Sequence, residues 1–229
     1  MIFATKPSRR EIIWGGIYLA LYVFIMPWLV PVLAILAGSA FDAVQINFIY
    51  FCVNFAATTV IFRKFLIRSL KDFLRVVFPT LWYAILGYLG SVMLGGIVAE
   101  LCARVYPDFA NVNDAAIGMM IRQNPPLMLI GAVVLAPVTE ELLFRGLVFR
   151  SLYNKSPLLA HILSMAIFSA IHITGYIGVY DPALLILCFV QYLPAAYCLN
   201  FAYCHSGTIV SPILMHMLTN LVAMSAMSL

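Results

Sequence analysis

Three short clusters place ionisable and amide side chains where the surrounding sequence is almost wholly apolar. They are Thr139-Glu140-Glu141-Leu142-Leu143-Phe144-Arg145-Gly146, Phe168-Ser169-Ala170-Ile171-His172 and His216-Met217-Leu218-Thr219-Asn220. An ionisable side chain inside a bilayer costs about 2.5 kcal/mol or more, so each is a functional candidate by default. Glu141 and Arg145 are i and i+4 with the acid N-terminal, the orientation in which the guanidinium neutralises the carboxylate on one helix. Glu140 points about 100° away around the helix and has no local partner. One of the two adjacent carboxylates is therefore structural and the other is available, as a general base must be. The alternative for these residues is an ion-pair network that only holds helices together. His216 and Asn220 share one helix face. Carboxylate, imidazole and amide groups in an apolar setting are compatible with hydrolysis, which needs a water, a base and hydrogen-bond donors. Glu140, His172 and His216 could instead bind zinc with an open fourth position. The HExxH spacing is absent, so no single helix builds that chelate. Ser169, three residues before His172, lacks the glycines of a nucleophile elbow.

The elements that must position these groups follow from composition. Of 229 residues, 64% are hydrophobic and 10% charged, against about 25% charged in a soluble domain. So few charges cannot cover a water-facing surface. This excludes a soluble globular enzyme, a disordered chain and a nucleic-acid-binding module, and leaves an all-α polytopic membrane protein. At roughly 20 apolar residues per crossing, the length accommodates a bundle of about seven or eight transmembrane helices. We read residues 1–229 as a single transmembrane helical domain with its motif-bearing core at about 126–222. Cys52, Cys102, Cys188, Cys198 and Cys204 fall in or near apolar runs with no CxxC spacing, and are expected to act as small hydrophobes.

The first apolar run, Ile12 to about Ala37, is too long for a signal peptide, and Pro27 and Pro31 should kink it. A second run spans about Ala43 to Phe62, followed by a basic segment from Arg63 to Arg75. The third spans Pro79 to Ala103, and a polar stretch from Arg104 to Asn124 follows. The fourth begins at Pro126 and extends to about Phe149, with Pro137 permitting a break just before Glu140. After the turn Asn154-Lys155-Ser156-Pro157, a fifth run ends near Ile173. Asp181-Pro182 opens the sixth, which ends near Cys204, and the seventh follows the turn His205-Ser206-Gly207 and extends to Leu229. With the N-terminus cytoplasmic and seven alternating crossings, inside segments hold ten Lys and Arg residues and outside loops two, in keeping with the positive-inside rule. The inverted repeats of many transporters are not evident.

Residues 138–153 and 157–173 read as a helical hairpin with its turn near 156. Glu140 lies 16 residues before that centre and His172 16 after it. At 1.5 Å per residue both stand about 24 Å from the turn, so they should be level. His216 lies about 9 residues, roughly 14 Å, after the turn at Gly207, and is lower than His172 if that turn is level with the one near 156, a gap that tilt or a deeper turn would close. His161, near the inner interface, and His205, in a turn, are expected to be structural or solvated.

The three clusters resemble the CAAX protease and bacteriocin-processing (Abi) family, whose pattern is Glu-Glu-x-x-x-Arg, then Phe-x-x-x-His, then His-x-x-x-Asn or Asp. Here the pattern appears in order as Glu140-Glu141…Arg145, Phe168…His172 and His216…Asn220, and the resemblance covers about residues 126–222. It implies an intramembrane endopeptidase. Glu140 would then be the general base assisted by His172, and His216 and Asn220 the oxyanion site. Glu141 and Arg145 would support the site, with Phe168 packed beside it. It also implies catalysis without a cofactor, zinc at Glu140, His172 and His216 being the alternative. The expected partners are the lipid bilayer and a peptide or protein substrate, such as a prenylated C-terminus, a bacteriocin leader or a signalling peptide. Nucleic acid is not expected. The expected location is a bacterial inner membrane. A non-catalytic membrane partner, such as a bacteriocin-immunity protein, is the reading from another class, and a transporter the third.

Overall fold

The computed structural model describes residues 3, 5–38 and 40–227, and among these it is helical with no named strand. Ser8 caps α1 (Arg9–Phe24), its hydroxyl accepting from the Glu11 N–H while the Glu11 carboxylate accepts from the Ser8 N–H. The chain bends by 64° into α2 (Met26–Leu36). Pro27, in the first turn of α2, has no N–H to continue α1, so the expected kink is a break just before the proline. Asp42 caps α3 (Ala43–Ile61), and the basic segment forms a short helix, α4 (Arg63–Phe73). The next helix, α5 (Val77–Val105), is 29 residues long. The polar stretch expected as a loop contains α6 (Val112–Gln123), capped by Asn111.

The motif-bearing helices follow. Residues Pro125–Tyr153 form one helical span, α7. Ser156 caps α8 (Pro157–Ile171), Asp181 caps α9 (Pro182–Ser206), and Gly207 closes α9 with φ of 75°. His205 thus lies in the last turn of α9 rather than in the loop. The last helix is α10 (Val210–Met227), and Leu229, where the seventh run was expected to end, lies outside the described residues.

Among the described residues five helices are long and apolar enough to cross a membrane: α3, α5, α7, α9 and α10. The bent α1–α2 pair makes a sixth. The remaining apolar run is α8, at 15 residues only about 22 Å long, short of a full bilayer core. The expected count of seven or eight is therefore approximate. The apolar helices make this an integral membrane protein.

Burial ranks these helices. In α7, 61% of the most apolar stretch is buried inside the protein, against 17% in α3 and α5. The motif helix is the hub, and large side chains such as Trp14, Trp28, Phe78 and Leu158 face outward. At one end of the bundle the N-terminal segment, α4 and the end of α7 meet. Glu11 accepts from the Phe65 N–H at 2.7 Å and faces Arg68 at 3.7 Å, Arg68 donates to the Lys6 carbonyl, and Arg150 donates to the Thr5 carbonyl. The basic segments expected on one side of the membrane are thus gathered at one end.

Candidate active site

Glu140 and Glu141 sit between two stretches of α7 that are wound as π-helix, Leu129–Leu135 and Leu142–Phe149. The expected break at Pro137 is not there; the helix continues and changes register instead. The cause is local. In the first π stretch the Ala136 N–H donates to the Gly131 carbonyl, five residues back. The next bond of that pattern would run from residue 137 to the Ala132 carbonyl, and Pro137 has no N–H to give. The Ala132 carbonyl is left open, and Asn220 of α10 donates its side-chain N–H to it at 2.8 Å. Pro137 thus supplies, through a missing bond, the acceptor that fixes the Asn220 amide.

Glu141 and Arg145 pair as expected, at 3.1 Å with neither side chain exposed. The guanidinium does more than neutralise. It also donates to Asn200 Oδ1 at 3.1 Å and to the Ala196 carbonyl at 2.9 Å, both on α9, and lies 4.5 Å from the centre of the Phe168 ring. Every nitrogen of the fork is thereby satisfied, which is what a buried cation requires. The same Glu141 Oε1 accepts from His216 Nδ1 at 2.9 Å. Glu141 therefore joins α7 to α10 as well as neutralising Arg145.

Glu140 and His172 are level, as the hairpin count required: Glu140 Oε2 lies 4.0 Å from His172 Nε2. Glu140 is 8% exposed, and Oε2 has no hydrogen-bond partner among the described residues. His172 follows the last residue of α8, and its Nδ1 lies 2.7 Å from the Phe168 carbonyl. A carbonyl only accepts, so Nδ1 carries the proton and Nε2 faces Glu140. The same argument puts a proton on His216 Nδ1, against the Glu141 carboxylate. A gap of 4 Å between Glu140 and His172 is the span that one bridging water fills.

Ring contacts lock both imidazoles. Tyr192 of α9 stacks on His172 with centroids 4.3 Å apart. Phe168 touches both histidines, at 4.7 Å from His172 and 5.7 Å from His216. The Tyr192 hydroxyl is held in turn, donating to Asp114 Oδ1 at 2.8 Å and accepting from Asn113 Nδ2 at 3.0 Å.

Glu140, His172, His216 and Asn220 all line one cavity of about 300 Å³. Glu141, Arg145 and Phe168 form its backing. Tyr22, Asn47 and Tyr50 from the first half of the chain, with Asp114 and Tyr192, complete the wall. Sequence reading had not selected these wall residues or Asn200. Asn200 carried a usable signal, a lone amide within an apolar run; the tyrosines carried none. Ser169 is buried and its Oγ has no partner among the described residues, so no base engages it. His161 packs edge-on to Phe149 at 4.9 Å, and His205 is exposed with Nδ1 against the Phe201 carbonyl. The five cysteines are free.

Zinc was the alternative use of Glu140, His172 and His216. Among the described residues no group of three or more His, Cys, Asp or Glu side chains is gathered as a metal-holding set. His216 Nδ1 is engaged by Glu141 and His172 Nδ1 by the Phe168 carbonyl, which leaves each Nε2 free to face the cavity. No step below passes through a metal.

Residues 122–222 match the family model described as type II CAAX prenyl endopeptidase Rce1-like, consistent with the CAAX protease and bacteriocin-processing family. The match encloses all three clusters and spans a little under half of the chain. No curated protein and no solved structure matches the chain.

Proposed function

We propose that this protein is an intramembrane endopeptidase that hydrolyses a peptide bond in the cavity between α7, α8 and α10, with Glu140 as the general base. The observation that carries this reading is the buried, unpartnered Oε2 of Glu140, facing His172 Nε2 at 4.0 Å in the cavity that His216 and Asn220 also line. A water between Glu140 and His172 attacks the peptide carbonyl carbon as its proton passes to the Glu140 carboxylate. The carbonyl electron pair moves to the oxygen, which accepts hydrogen bonds from the Asn220 amide and from His216. Asn220 has two N–H donors, one spent on Ala132 and the other free for this role. His216 spends its Nδ1 proton on Glu141, so it stabilises an oxyanion as an imidazolium, with the carboxylate of Glu141 behind it. Collapse restores the carbonyl, breaks the C–N bond and returns the proton from Glu140, relayed by His172, to the leaving amine.

In this reading the basic end of the bundle lies in the cytoplasm of a bacterial inner membrane, and the substrate is a prenylated C-terminus, a leader or a signalling peptide. The test is cleavage of a fluorogenic peptide panel by purified wild type and Glu140→Ala, each with and without a strong chelator. Cleavage that needs Glu140 and survives chelation is expected. Cleavage abolished by chelation and restored by zinc would move the mechanism to a metal. Equal background from both folded proteins, with a cellular effect that Glu140→Ala retains, would move the protein to a non-catalytic binding role.

A further inference from the structure

Asp114 is not part of the chemistry above, yet it lines the cavity that holds Glu140. It also lines a second, open groove of about 780 Å³ between α5 and α6. Asp114 therefore stands where the groove meets the cavity. Its Oδ1 accepts from the Tyr192 hydroxyl, and no Lys or Arg is paired with it among the described residues.

Among the described residues the cavity is lined by carboxylates and imidazoles but by no permanent cation. Its described lining contains two carboxylates, Asp114 and Glu140, and no Lys or Arg. Arg145 does not offset them at the cavity surface: it is wholly buried and spent on Glu141, Asn200 and the Ala196 carbonyl. Arg122 lines the groove but not the cavity. Glu140, buried with an unpartnered oxygen, is the second carboxylate contributing to the potential of this space. In a low-dielectric pocket such a potential discriminates strongly by the sign of an entering charge.

We propose that Asp114 is the counter-charge for a lysine or arginine side chain of the peptide substrate, so that the enzyme selects cationic peptides. This rests on the peptidase reading given above. The contacts bound the position of the basic residue. Asp114 touches the Tyr192 hydroxyl at 2.8 Å, and the Tyr192 ring lies 4.3 Å from that of His172. The Asp114 carboxylate is thus no more than about 10 Å from the His172 ring, roughly three residues of extended chain. The basic residue lies within about three positions of the bond that is cut.

The experiment uses the full chain in lipid nanodiscs and a parent peptide that it cleaves. At each of the three positions on either side of the cut, the residue is set to Lys, norleucine or Glu. At one position Lys should exceed Glu in kcat/KM by about tenfold or more, expressed mainly in KM. Asp114→Asn should remove that preference, Asp114→Glu should keep it, and Asp114→Lys should invert it. Non-cleavable N-methylated versions of the Lys and Glu peptides, followed by fluorescence anisotropy with wild type alone, read the same preference without turnover or mutation. Equal binding of the two peptides, or a preference unchanged in folded Asp114→Asn, overturns the proposal. Failure of the peptidase reading looks different: no peptide is cut above background, or cleavage persists in Glu140→Ala, whatever the charge preference.

Discussion

Removing Arg145 should destabilise the protein severely, and removing Glu141 as well should return much of the loss without returning activity. Arg145 is 0% exposed and its pair with Glu141 is fully shielded. In Arg145→Met the Glu141 carboxylate stays buried without its cation, a situation that costs about 3–5 kcal/mol. Asn200 Oδ1 and the Ala196 carbonyl also lose a donor, about 1–3 kcal/mol of that total. In Glu141→Gln the converse charge is stranded. The double variant Glu141→Gln/Arg145→Met strands no charge and keeps only the lost hydrogen bonds, so it should be at least about 2 kcal/mol more stable than Arg145→Met. The assay is reversible denaturation in mixed micelles followed by fluorescence of Trp14, Trp28 and Trp82. The double variant should still be slowed by about 10²–10³ in kcat, because a glutamine cannot stabilise His216 as an imidazolium. Two results would refute the reasoning: additive losses in the double variant, which would mean the charges are not coupled, or full kcat in the folded double variant, which would mean Glu141 does not set the proton on His216.

Further outcomes follow from single contacts. Pro137→Ala restores an N–H that can take the Ala132 carbonyl from Asn220, so kcat should fall by about tenfold or more while thermal stability holds or rises. In an Asn220→Ala background the same substitution should add no further loss; an equal loss there would show that Pro137 acts elsewhere. Asn200→Leu leaves Arg145 Nε and Ser164 Oγ short of their shared acceptor, with Ser164 keeping the Phe144 carbonyl, and should cost about 1–3 kcal/mol in the same denaturation assay. Tyr192→Leu should loosen His172 and lower kcat more than it raises KM, whereas Tyr192→Phe, which keeps the stacked ring, should recover most of the rate. His205→Ala, at an exposed ring bonded to its own helix, should change kcat/KM by less than about twofold.

The sequence by itself named the candidate groups and part of their geometry. Apolar length fixed the helices, because a bilayer leaves the backbone no other way to satisfy its hydrogen bonds. The constant rise of a helix made the level of Glu140 with His172 calculable from two equal residue counts, and the i, i+4 spacing gave the Glu141–Arg145 pair. One helix start was equally legible, Asp181-Pro182 opening α9. The tertiary structure alone decided which groups share the cavity. Asp114, Tyr22, Tyr50 and Tyr192 reach the site from helices whose lateral order no residue spacing encodes. The dual use of Glu141 by Arg145 and His216 needed α10 to arrive at one height, which depends on how α9 turns at Gly207 rather than on counting. The π stretches around the two glutamates were also hidden, because a helix changes register in response to what packs against it. Only Pro137 left a trace, and its meaning, an open carbonyl for Asn220, emerged once α10 stood beside it.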